Sequence, residues 1–251
     1  MNGFLPRLLC VTGLCLIMSI IPVTDAAAQN YQVASVDKAD DSKIAYLTFD
    51  DGPSTRNTPR ILDILKEYNI KATFFVNGHG KKELYRRIAD EGHAIGNHTY
   101  SHNYKDIYSS VVSFKKDVDK LSDYIEDVTG ERPELFRFPG GSNNTVSRRY
   151  GGKTVMKTLC QVITSDMGYQ YFDWNVSAED TTAYRASKGL IVRSALNGAK
   201  HKKHAIILMH DAAPKTTTVE ALPEIIDGLI KMGFKFDVLT KGTTKIQFMK
   251  P

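Results

Sequence analysis

Cysteine is almost missing from this chain: three of 251 residues are Cys, and two of them, Cys10 and Cys15, fall in an apolar leader. With Cys160 left alone no disulfide framework can form, so the fold must rest on a hydrophobic core. Cys160 itself reads as a small buried apolar residue, not a reactive thiol. Tryptophan occurs once, and there is no Gly-rich phosphate fingerprint, internal repeat or low-complexity tract. A basic stripe is also absent: the net charge of +5 comes from scattered Lys and Arg, which argues against nucleic-acid binding.

One long apolar run exists, over residues 8–23. It follows Arg7 and leads to Ala26-Ala27-Ala28, the layout of a secretory signal cut before Gln29. The run is nearly long enough to stay as a membrane anchor, but Pro22 and the Ala triplet favour cleavage. Cys10 and Cys15 follow Leu9 and Leu14 where a lipoprotein signal needs a small residue, so lipidation is not expected. We therefore read residues 1–28 as a signal peptide, 29–42 as a polar spacer and 43–251 as one folded domain. Export points to a secreted or wall-associated protein. No protein partner is implied, and a monomer is expected.

From residue 43 onward, short bulky runs alternate with amphipathic stretches. Strands are predicted over 44–49, 72–76, 93–96, 135–138, 169–174, 205–209 and 234–239, and helices over 58–68, 81–91, 109–129, 155–167, 187–199 and 219–232. Strand and helix alternating about seven times predicts an α/β fold: a distorted or incomplete (β/α) barrel of about seven parallel strands. An open doubly wound sheet is the alternative.

Nearly every polar cluster follows the C-terminal end of a predicted strand, the face that carries the site in such barrels. After the first strand comes Asp50-Asp51-Gly52-Pro53-Ser54. A turn alone would recruit Asp-Gly, but two adjacent carboxylates call for a cation. After the third strand, Asn97-His98-Thr99-Tyr100-Ser101-His102 sets two imidazoles four apart, a spacing that lets both meet one ion from a single helical turn. Asp51, His98 and His102 together make a three-ligand set with an open position, suited to acidifying water and polarising a carbonyl. The same ligand types also describe the two-His, one-carboxylate face of iron oxygenases. Further clusters are Arg137-Phe138-Pro139-Gly140-Gly141-Ser142, Asp173-Trp174-Asn175 and Leu208-Met209-His210-Asp211.

Taken in order, Thr-Phe-Asp-Asp-Gly-Pro-Ser, His-Thr-Tyr-Ser-His, Arg-Phe-Pro-Gly-Gly, Asp-Trp-Asn and Leu-Met-His resemble the five motifs of the polysaccharide deacetylases of carbohydrate esterase family 4, the NodB-homology group, over about residues 43–239. The resemblance implies one divalent ion on Asp51, His98 and His102, with zinc the default and cobalt or another divalent ion the alternative. It implies Asp50 as general base, Arg137 as its orienter, His210 as general acid and Asp173 as the carboxylate that orients His210. The Gly140 N–H would serve the oxyanion, and Trp174 and Leu208 would line a small pocket for the acetyl methyl. Many relatives carry Tyr at the position of Gly140; here Gly141 and Ser142 are expected to compensate for the missing side chain. His79, His93, His201 and His204 match no family role and read as structural or surface residues.

The substrate this implies is an N-acetylated wall polysaccharide, peptidoglycan first, whose N-acetylglucosamine would lose its acetyl group. Chitin oligomers, N-acetylmuramic acid, exopolysaccharide and acetylxylan are the alternatives within the family. An inert wall-binding module would have lost the base, acid or ligands, and all are present. An iron oxygenase would have no use for Asp50 and His210 beside the metal.

Overall fold

The computed structural model describes residues 42–251; the signal-peptide reading, and all but the last residue of the spacer, lie outside them. Strand β1 (Lys43–Asp50) is the centre of an all-parallel eight-stranded sheet. The others are β2 (Thr73–Val76), β3 (Ala94–Asn97), β4 (Leu135–Phe136), β5 (Gln170–Tyr171), β6 (Val176–Ser177), β7 (His204–His210) and β8 (Phe234–Phe236). The order is β5-β4-β3-β2-β1-β7-β6, with β8 paired to the start of β1. Helices α1 (Thr58–Glu67), α2 (Lys82–Asp90), α3 (Tyr104–Ile107), α4 (Val111–Thr129), α5 (Arg148–Gly151), α6 (Val155–Gln161), α7 (Lys188–Ala199) and α8 (Thr216–Lys231) fill the connections.

The two end strands of the sheet, β5 and β6, are separated in the chain by residues 172–175 alone. The sheet is therefore curled until its edges are bridged covalently, not by a ladder of hydrogen bonds: an incomplete barrel. The predicted strand over 169–174 is split by this crossing. Phe172 N–H still donates to Phe136 O on one edge at 3.0 Å, while Asn175 N–H already donates to Ile206 O on the other at 3.2 Å. The Asn175 amide then imitates a strand, donating to His204 O at 2.8 Å and accepting from Ile206 N–H at 2.9 Å. That split accounts for an eighth strand where about seven were expected. Helices α3 and α5, one turn each, were not anticipated.

Strand alternation sorts the side chains. In β1, Ala45, Leu47 and Phe49 pack outward with α1 and α8 residues such as Ile61, Leu65 and Ile225, in the main core. In β7, Ala205, Ile207 and Met209 do the same. The intervening residues face the barrel interior. Its floor is Tyr46, Phe75, Leu135, Phe172, Ile206 and Leu239. Above it, Thr48 is in register with Leu208, and at the C-terminal rim Asp50 is in register with His210. A further core of Phe114, Phe136, Phe138, Leu159 and Tyr171 lies under α4 and α6. Cys160 is buried there, and burial pushes its thiol up to about 11, out of the reactive range.

Candidate active site

The Asp51 carboxylate stands at the end of β1 with φ of 74°, a left-handed backbone that Asp tolerates better than most residues. It is braced by the Asn77 side-chain amide, which donates to Asp51 O at 2.8 Å. Gly52 follows because a Cβ there would strike the buried Asp211 carboxylate at 2.1 Å. His98 leaves β3, and its Nδ1 lies 2.8 Å from Arg137 O. A carbonyl only accepts, so Nδ1 carries the proton and Nε2 keeps the lone pair that points at Asp51 Oδ1, 3.4 Å away. His102 Nε2 approaches the same oxygen at 3.1 Å.

The loop between the two histidines is not helical, contrary to the single helical turn expected. Thr99 and His102 take φ of 70° and 50°. Asp117 on α4 holds the turn open, accepting from Tyr100 N–H at 2.6 Å and Ser101 N–H at 3.2 Å. The rings nevertheless meet, with centroids 5.1 Å apart, because the two left-handed residues fold the loop back on itself. Backbone strain of this kind persists where the surroundings over-determine it, commonly at sites of function.

The donor atoms of Asp51, His98 and His102 all lie within 4.8 Å of one another. Two imidazoles and one carboxylate so close together fit one divalent cation with an open position. Burial alone would raise the Asp51 pKa, but hydrogen bonds and charge from His102 and His98 outweigh it and hold the carboxyl well below its usual range. Burial alone would lower His102, and Asp51 with Asp50 reverses that.

Asp50 is nearly buried and its Oδ2 lies 3.8 Å from His98 Nε2. Its Oδ1 accepts from Arg137 Nη1 at 2.8 Å. Arg137 is fully buried, and its donors are met: Thr48 Oγ1 at 2.7 Å, Phe172 O at 3.0 Å and Asp173 O at 3.1 Å. Its guanidinium also stacks 4.1 Å above the Phe75 ring. A buried cation so engaged fixes the direction of the Asp50 carboxylate.

His210 stands on the other side of Asp50, across β1 and β7. Its Nδ1 is 2.9 Å from Asp180 Oδ1, not from Asp173. Asp180 Oδ2 also accepts the His210 backbone N–H at 2.8 Å and the Thr218 hydroxyl at 2.9 Å. Burial alone would push His210 down, yet the hydrogen bond and charge of Asp180, with Asp50 and Asp51 behind it, raise it to about 9. The expectation that Asp173 orients His210 is thus corrected. Asp173 accepts from Ser142 N–H at 2.8 Å, Ser142 Oγ at 2.5 Å and Phe248 N–H at 2.7 Å, which leaves its carboxylate no reach toward β7. Asp180 follows β6, a strand of two residues that residue pattern alone does not reveal. Polar residues at a strand end were the signal everywhere else, and Glu179-Asp180 would have met that rule had the strand been recognised.

Gly140 is exposed with φ of 77°, and its N–H donates to no described residue. Gly141 and Ser142 do not compensate for its missing side chain. Both are buried, Gly141 against Trp174 and Ser142 on Asp173. The C-terminal stretch was missed by residue reading. Met249 N–H donates to Ser142 Oγ at 2.9 Å, and Phe248 meets Trp174 edge-on at 5.0 Å between centroids. Trp174 sits 5.8 Å from the Arg137 guanidinium, and Leu208 is largely buried two residues before His210.

Fold and site together define a curled parallel α/β barrel with an Asp-His-His cluster that could hold a cation at its C-terminal rim, and its relatives make it a hydrolase. The polysaccharide deacetylase family model matches residues 37–159. A peptidoglycan-N-acetylglucosamine deacetylase of Bacillus cereus is 32% identical over 202 residues, 78% of this chain and 68% of that one. The catalytic domain of a peptidoglycan N-acetylglucosamine deacetylase from Eubacterium rectale superposes with a TM-score of 0.79 at 34% identity, over 84% of this chain and 94% of that one. A polysaccharide deacetylase from Bacillus cereus gives 0.70 at 29%, over 82% and 97%. The chain belongs to the polysaccharide deacetylase family.

Proposed function

We propose that the protein removes the N-acetyl group from N-acetylglucosamine in peptidoglycan, releasing acetate and leaving a free amine. The observation that carries this reading is the placement of Asp50 and His210, in register on adjacent strands, beside the Asp51, His98 and His102 cluster. Two groups able to move protons beside a cluster that could hold a cation are what amide hydrolysis needs, and an oxygenase has no use for them.

Asp51, His98 and His102 would hold the ion, with zinc the first choice. Such an ion supplies Lewis acidity to an acyl oxygen and to water. Asp50, held by Arg137, takes a proton as water attacks the carbonyl carbon. The Gly140 N–H donates to the acyl oxygen as it gains charge. His210, kept protonated by Asp180, gives its proton to the amide nitrogen as the C–N bond breaks, so acetic acid and a neutral amine leave, and the acid then ionises to acetate in water. Leu208 and Trp174 would limit the acyl group to acetyl. Arg137 orients Asp50 and does not itself exchange protons.

Two of the relatives named above are peptidoglycan N-acetylglucosamine deacetylases, which supports that polymer over chitin oligomers, N-acetylmuramic acid, exopolysaccharide and acetylxylan. The leader over residues 1–28, with catalysis in 43–251, would deliver the enzyme to the wall. Among the described residues no helix is long and apolar enough to cross a membrane. We read the protein as acting as a monomer.

Acetate release from peptidoglycan, chitin oligomers and acetylxylan, with and without chelator and added zinc, tests the reading. Release from peptidoglycan that stops on chelation and returns with zinc is expected. Release that survives thorough metal removal, or that occurs on acetylxylan alone, overturns it.

A further inference from the structure

Helix α3 begins two residues after His102 with Tyr104 and is capped at its C-terminus by Tyr108, and the two rings meet edge-on with centroids 5.2 Å apart. Their hydroxyls have different surroundings. Tyr108 is fully buried and its hydroxyl donates to Pro139 O at 2.7 Å, which ties α3 to the loop just before Gly140. Tyr104 is half-buried, and its hydroxyl has no hydrogen-bond partner among the described residues. It lies where a side chain of residue 140 would begin: a Cβ built on Gly140 would stand 2.3 Å from the Tyr104 hydroxyl oxygen. The Tyr104 ring also packs edge-on against His102, with centroids 5.9 Å apart.

A half-buried phenol with an unused donor, wedged between His102 of the candidate cation cluster and an exposed loop whose own N–H is also unused, is free to bond a ligand beside that cluster. Residue 140 is kept to glycine by its left-handed φ of 77° and by the phenol standing in its side-chain position. Tyr104 and Gly140 are therefore one unit: the wall that residue 140 does not supply comes from α3 instead.

Resting on the deacetylase reading above, we propose that the Tyr104 hydroxyl is a further substrate-contacting group, donating a hydrogen bond to the acyl oxygen alongside the Gly140 N–H. Such a donor strengthens as the oxygen gains charge, so it acts on turnover more than on binding.

The test uses the full chain on a defined N-acetylglucosamine oligomer. Tyr104→Phe keeps the ring against His102 and removes only the donor. It should lower kcat by on the order of tenfold or more with KM moved less than about threefold, and leave the zinc Kd and thermal midpoint as in the wild type. Wild-type kcat in Tyr104→Phe overturns the proposal. A loss of kcat that follows a matching loss of zinc affinity also overturns it, since Tyr104 would then act only by propping His102. Gly140→Ala provides a second check, because its methyl must displace the hydroxyl. It should cost more activity in the wild type than in the Tyr104→Phe background, where only the strain of Ala at a positive φ remains, whereas losses that simply add overturn the coupling. A wild-type protein that releases no acetate from any acetylated polymer overturns the deacetylase reading and the proposal together, while an active wild type with a silent Tyr104→Phe sinks the proposal alone.

Discussion

His210 and Asp180 are joined twice: the imidazole Nδ1 lies 2.9 Å from one carboxylate oxygen, and the His210 backbone N–H donates to the other at 2.8 Å. The pair binds the end of β7 to the loop after β6, just beyond the short ladder that joins those two strands. It also decides the charge of the group read here as the proton donor.

Replacing Asp180 with Asn keeps the shape and removes the charge, so His210 should fall from about 9 toward the ordinary imidazole value. A proton donor is lost as pH rises through its pKa, so the falling limb of the pH–rate profile should move to lower pH. At pH 8 we expect a loss on the order of ten- to thirtyfold. A falling limb that stays in place in Asp180→Asn would reject the pairing as the source of the acid's charge.

Asp50 and Arg137 are a buried ion pair, and removing either partner has a different consequence. Arg137→Leu leaves a nearly buried carboxylate alone, which costs about 3–5 kcal/mol of stability. Asp50→Asn retains an oxygen for the guanidinium, so urea unfolding should move less, while acetate release falls by about 10²–10⁴-fold. Turnover near the wild-type level in Asp50→Asn would remove Asp50 from the role of base.

Zinc should raise the thermal midpoint in a concentration-dependent way, by mass action on the folded state. His102 must lose its proton to ligate, and Asp51 holds that proton on in the metal-free site, so binding should release protons and weaken as pH falls. In His102→Ala the zinc-dependent rise should vanish and affinity drop by at least about 100-fold. An unchanged zinc response in that variant would show that the ion sits elsewhere.

Acid should destabilise the fold through His93. Its Nδ1 accepts the Ala72 N–H at 3.1 Å, and burial first, then Lys71, pushes it down to about 4. A pKa depressed in the folded state means the unfolded chain binds the proton first, so stability present above pH 6.5 is lost as pH falls toward 4. The contribution is on the order of 3 kcal/mol at most. His93→Gln should flatten that stretch of the pH–stability curve measured by urea unfolding, and a curve of unchanged slope would exclude His93.

Much of the site could be read from local residues because each cluster sits directly behind its own strand. Thr48 to Ser54 announces a strand end and a turn in one stretch, and His98 and His102 are only a loop apart. Asp180 could not be found this way, since β6 is two residues long and its partner His210 is 30 positions distant. The split of 169–174 was equally hidden. A bulky run looks the same whether it pairs with one neighbour throughout or leaves β4 for β7 midway.

Period-two alternation is a property of the extended chain, so the residues by themselves determined that Asp50 and His210 face the same side as Thr48 and Leu208, and their chemistry determined that Asp51, His98 and His102 could share an ion. Which carboxylate meets His210, and which side chain stands beside Gly140, was decided only by the curled sheet. Those contacts join segments that are remote in the chain, and their distances depend on how far the sheet closes and where α3 is pinned by Tyr108 against Pro139.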